Sequence, residues 1–356
     1  MKRLIGAFLG ICALVVLLTS AKYVLEHGKK ASGEDVVTLY NWGDYIDPDL
    51  ITQFEEETGY QIEYETFDSN EAMLAKIEQV GTSFDLAVPS DYMIELMIQK
   101  EMLLPLDHKK IQGMEHLDKR FLDLPFDPNN RYSIPYFWGT LGILANEQLV
   151  DVSQLTSWQD LWKEEFKDNL LLYDGAREVL GFALQAKRRS LNDRNIAHLK
   201  EARDDIWRLL PNVRGFVADE IKMYMVQEEA ALAVTFSGEA SAAMEESDYL
   251  VYIIPQEGSN IWFDNLVIPK TARNLEGVYA FINFMLRPEV AAQNSEYIGY
   301  STPNKEALNY IDPELLNNPA FYPDEAVIEE LEMYLNLGQE ILIQYNNLYL
   351  EAKMGR

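Results

Sequence analysis

The sequence predicts an α/β protein whose first part builds a parallel sheet, and three observations carry that reading. Short apolar runs at 36–40, 61–66 and 84–88 alternate with helical patterns, in the order β-α-β-α-β. That order gives parallel strands joined by right-handed crossovers. The 356 residues leave room for two domains of about 150 residues each, and a 48% hydrophobic content is enough to build their cores.

Each element has a local cause. After the strand at 36–40, Asp47 is placed to cap a helix with Pro48 in its first turn. Leu50, Ile51 and Phe54 form its apolar face, and Gly59 stops it. Ile62 and Tyr64 alternate through the next strand. Asp68 and Glu71 have capping-box spacing for a helix running to about Gln79. The third strand ends at Pro89. Residues 137–145, with Gly139 and Gly142, suit an extended segment crossing between two lobes.

Ser157 can cap a helix whose Trp158, Leu161 and Trp162 share one face, which reads as core, as does Trp207. Residues 170–173 form a strand that turns into a helix through Asp174-Gly175-Ala176-Arg177-Glu178. Strands follow at 230–236 and 250–254. Trp262-Phe263-Asp264 leads into another at 266–268, stopped by Pro269. A helix spans 278–286, and the tail at 323–353 is mostly helical by pattern. The chain has no internal repeat.

Lys2 and Arg3 precede an apolar run at 4–18, with Thr19 and Ala21 where a signal peptidase reads small residues. The stretch 4–21, 18 residues long, is also at the lower limit for a spanning helix, held with its basic end inside. Residues 1–21 are therefore expected to be a signal peptide or a membrane anchor, and 22–35 a polar spacer. Leu9-Gly10-Ile11-Cys12 matches a lipoprotein box poorly, because Ile11 is bulky and much of the apolar run follows Cys12. On any of these readings the globular part lies outside the cytoplasm.

Charge narrows the function. Asp plus Glu number 58 against 30 Lys plus Arg, a formal charge of -28. That balance repels nucleic acid and anionic lipid and draws in cations. A single cysteine excludes an intramolecular disulfide and a cysteine metal cluster. None of His27, His108, His116 and His198 has a partner at zinc-ligand spacing. No nucleophile elbow, phosphate-cradling loop or zinc signature is present.

Three stretches place a carboxylate beside aromatic rings. They are Trp42-Gly43-Asp44-Tyr45, Trp262-Phe263-Asp264, and Tyr173 followed by Asp174 to Glu178. A ring face attracts a cation through its quadrupole and a carboxylate through its charge, so together they suit a cationic, greasy ligand. In an extended segment Trp262 and Asp264 point to one side and Phe263 to the other. Ligands of parallel sheets bind beyond the carboxyl ends of the strands, where residues 41–45 and Ser90-Asp91-Tyr92 lie. On the residues alone, three rivals stay open: an iron carrier drawing on the 20 tyrosines, an oligosaccharide binder using tryptophans, and a glycosidase using paired carboxylates.

Several segments carry a family resemblance. Tyr40-Asn41-Trp42-Gly43-Asp44-Tyr45, Ser69-Asn70-Glu71, Pro89-Ser90-Asp91-Tyr92 and Ser133 to Gly139 lie in the first half. Asp174 to Val179, Trp262-Phe263-Asp264 and Ile298 to Asn304 follow. In this order and spacing, from about Val36 to the C-terminus, the chain resembles the spermidine/putrescine-binding proteins of bacterial ABC transporters. The resemblance implies a two-lobed periplasmic-binding-protein fold of type II, each lobe a mainly parallel sheet flanked by helices. Lobe 1 would comprise 36–139 and 263–308, and lobe 2 would comprise 143–259 and 312–355, with the ligand cleft between them. It also implies a monomer that is not an enzyme, needs no cofactor, binds spermidine or putrescine, and delivers it to a membrane permease.

Carried over by position, the aromatic contacts are Trp42, Tyr45, Tyr92, Trp262 and Tyr300, and the acids are Asp44, Glu178 and Asp264. Ser90 is a polar contact. Phe236 stands where the family has a tryptophan, and Tyr334 stands near a family glutamine. Gly175 replaces a family acid, with Asp174 one residue earlier.

Overall fold

The computed structural model describes residues 35–218 and 220–355. The expectations for residues 1–21, Cys12 and His27 lie outside them. Strand β1 (Val36–Trp42) leads into helix α1 (Pro48–Thr58), capped by the Asp47 carboxylate and closed by Gly59 at φ +79°. Strand β2 (Gln61–Phe67) and helix α2 (Asn70–Glu78) follow. The cap of α2 is Ser69, whose hydroxyl accepts from the Ala72 N–H, so the expected Asp68 cap slips by one residue. Strand β3 keeps only Leu86–Ala87 of the expected run, and α3 spans Asp91–Gln99.

Strand β4 (Ser133–Asn146) is buried along all 14 of its residues. Beyond it come β5 (Leu170–Tyr173), α4 (Ala176–Gln185), α5 (Ile196–Leu209), β6 (Val213–Val217) and α6 (Ile221–Val226). Next are β7 (Leu232–Phe236), α7 (Ser237–Glu246), β8 (Leu250–Ile253) and β9 (Ile261–Val267). The helix expected at 278–286 begins earlier, as α8 (Leu275–Met285), because Asn274 caps it; Pro288 then opens α9 (Pro288–Ile298). Short α10 (Pro313–Leu316) and α11 (Glu325–Ile328) precede α12 (Gln339–Met354).

Two expectations need correction here. The Trp158–Trp162 segment is a 3-10 turn, although Trp158 and Leu161 are fully buried as expected of core. The tail is not continuous helix, for residues 329–338 are irregular. Their side chains are shared out: Leu331 and Met333 pack with Met93 and Phe263, whereas Leu337 packs with Phe182 and Tyr345. Tertiary packing overrides helical pattern there.

Strand order is β2-β1-β3-β9-β4-β7-β5-β6, with β8 also paired to β4. β1 runs parallel to β2 and β3, as β5 does to β6 and β7. Strand β4 belongs to both regions. Ser133–Thr140 pairs antiparallel with β9, and Leu141–Asn146 pairs with β7 and β8. Helices cover both sheet faces. On one, Leu39, Leu50 and Phe54 meet Phe281, with the Phe54 and Phe281 rings edge to face at 5.2 Å. On the other, Tyr40 stacks on Phe84 at 4.1 Å, beside Met93 and Phe263. Burying each such ring stabilises the fold by about 1.5–3 kcal/mol. Among the described residues no helix is long and apolar enough to cross a membrane.

Candidate ligand-binding site

Strand alternation in β9 sends Phe263 into the core with Phe121 and Trp138, and turns Trp262 and Asp264 the other way. The Asp264 carboxyl is 5% exposed. Its Oδ2 accepts the Tyr45 hydroxyl at 2.7 Å, and its Oδ1 accepts the Ser90 hydroxyl at 2.6 Å. Burial pushes its pKa up to about 6, against the lowering effect of the two hydroxyls. Both hydrogen bonds come from neutral groups, so no cation among the described residues is bonded to this acid.

Ser90 is itself fixed. Its hydroxyl accepts from Asn70 Nδ2 at 3.0 Å, and its backbone N–H donates to Asn70 Oδ1 at 3.1 Å. The same Nδ2 reaches the Tyr92 hydroxyl at 3.2 Å, and Tyr92 donates to Glu71 Oε1 at 3.2 Å. A chain of polar groups therefore runs from Asp264 through Ser90, Asn70 and Tyr92 to Glu71.

Aromatic rings extend from the same acid in a row. Tyr45 meets Tyr300 at 5.8 Å, Tyr300 meets Trp262 at 5.0 Å, Trp262 meets Phe236 at 6.2 Å, and Phe236 meets Tyr173 at 4.8 Å. All four contacts are edge to face, the arrangement ring quadrupoles favour. Two glycines make room for it. A Cβ on Gly139 would lie 2.5 Å from the Trp262 ring, and one on Gly238 would lie 2.1 Å from Tyr300.

A cleft of about 400 Å³ is lined by Glu71 and Tyr92 on one side and by Ala176, Arg177, Glu178, Tyr334 and Asn346 on the other. Glu178 sits in the first turn of α4, where the helix N-terminus favours an anion. Burial raises its pKa, while its own backbone N–H, Arg177 and the Tyr334 hydroxyl oppose the rise. Gly175 caps α4, and a Cβ there would lie 2.0 Å from Glu178 Oε2. The glycine thus leaves the space the carboxylate occupies.

Trp42 is half-buried, packs on Phe67 at 4.6 Å and donates its indole N–H to the Val88 carbonyl at 2.9 Å. Asp44 does not join the cluster; it is exposed in a left-handed turn at φ +46°. Asp174 is held by Tyr349 and by Lys353 at 2.7 Å, which turns it from the Glu178 side toward α12.

The sequence reading gave no role to four residues of this region: Asn70, Glu71, Asp91 and Arg177. The Arg177 guanidinium lies 4.4 Å over the Tyr334 ring and donates to Asn192 Oδ1 at 2.8 Å. Asn70 and Glu71 stood inside a quoted segment without a role, and Arg177 stood beside Glu178. Asp91 stood in the Ser90-Asp91-Tyr92 loop beyond the third strand, again without a role of its own.

The family model for bacterial extracellular solute-binding proteins matches residues 49–323. The spermidine/putrescine-binding periplasmic protein of Salmonella typhimurium is 39% identical over 327 residues, 92% of this chain and 94% of that protein. The putrescine-binding periplasmic protein of Escherichia coli is 31% identical over 334 residues, 88% of this chain and 90% of that one. Among solved structures, the spermidine/putrescine transporter substrate-binding protein of Streptococcus pneumoniae superposes with a TM-score of 0.84 at 52% identity, covering 90% of this chain and 99% of that one.

Proposed function

Because this chain belongs to the bacterial extracellular solute-binding proteins, we propose that it captures spermidine or putrescine outside the cytoplasm and delivers it to an ABC permease. Asp264 carries the reading. A carboxyl that is 5% exposed and bonded, among the described residues, only by hydroxyls is costly to ionise, and a cationic ligand removes that cost. An ammonium on Asp264 forms a charge-assisted hydrogen bond, roughly twice as strong as a neutral one. The ligand's methylenes then lie along Trp262, Tyr300 and Phe236, and each cation over a ring gains about 0.5–2 kcal/mol. Glu178 and Glu71 receive the far ammonium. Trp42, Tyr45, Ser90 and Tyr92 complete the wall, and Asp44 acts on the ligand only through its long-range charge.

In this reading residues 36–139 with 263–308, and 143–259 with 312–355, are two lobes that close over the amine. The sharing of β4 between two sheet regions supports that division, as does the path of residues 329–338 past both cores. Residues 1–21 serve as signal or anchor, and the protein works as a monomer without catalysis. A calorimetric screen of spermidine, putrescine, maltose and ferric citrate tests the ligand class. The expected result is micromolar or tighter binding of an amine, about -8 kcal/mol or better. No heat with either amine at millimolar concentration, or tighter binding of the sugar or iron complex, overturns it.

A further inference from the structure

Asn70 is an amide where the packing of its helix calls for an apolar side chain. It is the first residue of α2, and with Met73 and Ile77 it forms the buried stripe of that helix, at helical spacing. It is 4% exposed. A buried amide is costly unless its polar atoms are bonded. Those of Asn70 are bonded to Ser90 and Tyr92, in the wall of the ligand-binding site.

The chemistry of the partners fixes which way the amide faces. The Ser90 backbone N–H can only donate, and it takes Oδ1 at 3.1 Å. Nδ2 is thereby turned toward two hydroxyls, Ser90 at 3.0 Å and Tyr92 at 3.2 Å. An amide nitrogen has two hydrogens and accepts nothing, so it donates to both. Each hydroxyl is left with its single proton to give. Ser90 gives its proton to Asp264 Oδ1 at 2.6 Å, and Tyr92 gives its proton to Glu71 Oε1 at 3.2 Å. A hydrogen bond donated to a carboxylate favours the ionised form. A protonated acid would turn the bond round and leave the hydroxyl proton without its acceptor.

We infer that Asn70 is a positioning residue for both ends of the ligand: its amide makes donors of the Ser90 and Tyr92 hydroxyls, and so keeps Asp264 and Glu71 as ionised acceptors for ammonium. It acts through the two hydroxyls. Asp264 lies on β9 and Glu71 on α2, yet both answer to one neutral side chain. The inference rests on the amine reading of the site.

The test is titration calorimetry of the full chain with spermidine and with putrescine, at pH 7 and constant salt, on Asn70→Asp in two backgrounds. This change keeps the acceptor of the Ser90 N–H. It replaces only the amide nitrogen, by an oxygen that draws the hydroxyl protons away from Asp264 and Glu71. An acid in the first turn of a helix is favourable, so α2 tolerates it. Kd for both amines is expected to rise about 10- to 100-fold, although added negative charge alone would tighten the binding of a cation. With Ser90→Ala and Tyr92→Phe already in place there is no hydroxyl to turn, and the same change should alter Kd by less than about threefold. A merely structural role, exerted through the Ser90 backbone, would cost the same in both backgrounds. Unchanged or tighter binding by a cooperatively melting Asn70→Asp overturns the inference, as does an equal loss in the two backgrounds. Should Asn70→Asp not melt cooperatively, Asn70→Ala takes its place: a larger loss is expected in the native background, and equal losses overturn the inference. The side-chain amide of Asn70 in the nitrogen-15 spectrum of the wild type needs no variant to fold. Both of its hydrogens should exchange slowly with solvent, and fast exchange of either overturns the inference. No heat from the wild type with either amine removes the amine reading itself, and this inference with it.

Discussion

Asp264→Asn is expected to weaken amine binding and to stabilise the ligand-free protein at once. The substitution removes the charge and keeps the shape. Both oxygens of Asp264 accept from rotatable hydroxyls, so an amide fits once Tyr45 or Ser90 turns to accept from it. The rise of its pKa from 3.8 to about 6 is equivalent to about 3 kcal/mol against the ionised form in the folded state. A carboxyl raised on folding adds stability that is fully present below its ordinary pKa and lost as pH rises through about 6. At pH 7 the ligand-free wild type therefore carries the full penalty, and the amide recovers about 1–3 kcal/mol of it, a rise in Tm of a few degrees. Binding loses the charge-assisted bond, about 2–4 kcal/mol, which is about 30- to 1,000-fold in Kd. Calorimetry at fixed salt and thermal melts at pH 5 and pH 7 read both quantities. The Tm gain should be smaller at pH 5, where the wild-type acid is protonated. A loss in Kd below about fivefold with a cooperative melt, or a lower Tm at pH 7, refutes the reasoning.

Trp262→Leu removes a ring that Tyr300 and Phe236 both meet edge to face. It should weaken spermidine by about 3- to 30-fold while maintaining folding, and an unchanged affinity in calorimetry would place the ring outside the ligand's path. Gly175→Asp restores an acid at the turn, yet its Cβ would stand 2.0 Å from Glu178 Oε2. Displacement of Glu178 should lower affinity for both amines despite the added charge, so tighter binding by this variant counts against the packing argument. Glu178→Gln should cost about 2 kcal/mol in binding, and the ratio of spermidine to putrescine Kd should change because this acid serves one end of the ligand; equal losses for both amines contradict that placement. Scattering should give a smaller radius of gyration with spermidine than without it, whereas superimposable curves argue against closure.

The candidate site was legible in the sequence where a fixed local geometry was involved. The two-residue period of a strand placed Trp262 and Asp264 on one side and Phe263 on the other, and the structure agrees. The Asp47-Pro48 start and Gly59 stop of α1 were legible because caps act within one turn. What failed depended on distant partners. Asp44 carried the same aromatic neighbours as Asp264, but a left-handed turn leaves it exposed. Residues 329–338 had a helical pattern, and two separate cores drew their side chains apart, bringing Tyr334 to Glu178. Asp91 was read as part of the loop beyond the third strand, but its complete burial was not legible there. Arg177 was visible as a charge, but its stacking on Tyr334 was not.

The double membership of β4 bears on how the molecule comes apart. Its first eight residues are bonded into one sheet region and its last six into another, and none is exposed to solvent. Melting either region frays the strand that the other needs, so the free energies of the two are not separable. The molecule should denature as one cooperative unit, with a single calorimetric peak whose van't Hoff enthalpy approaches the measured one. For the same reason, neither region excised at residue 140 should fold alone. An amine that holds the cleft then protects residues far from it against denaturation, including those of α5 and β6.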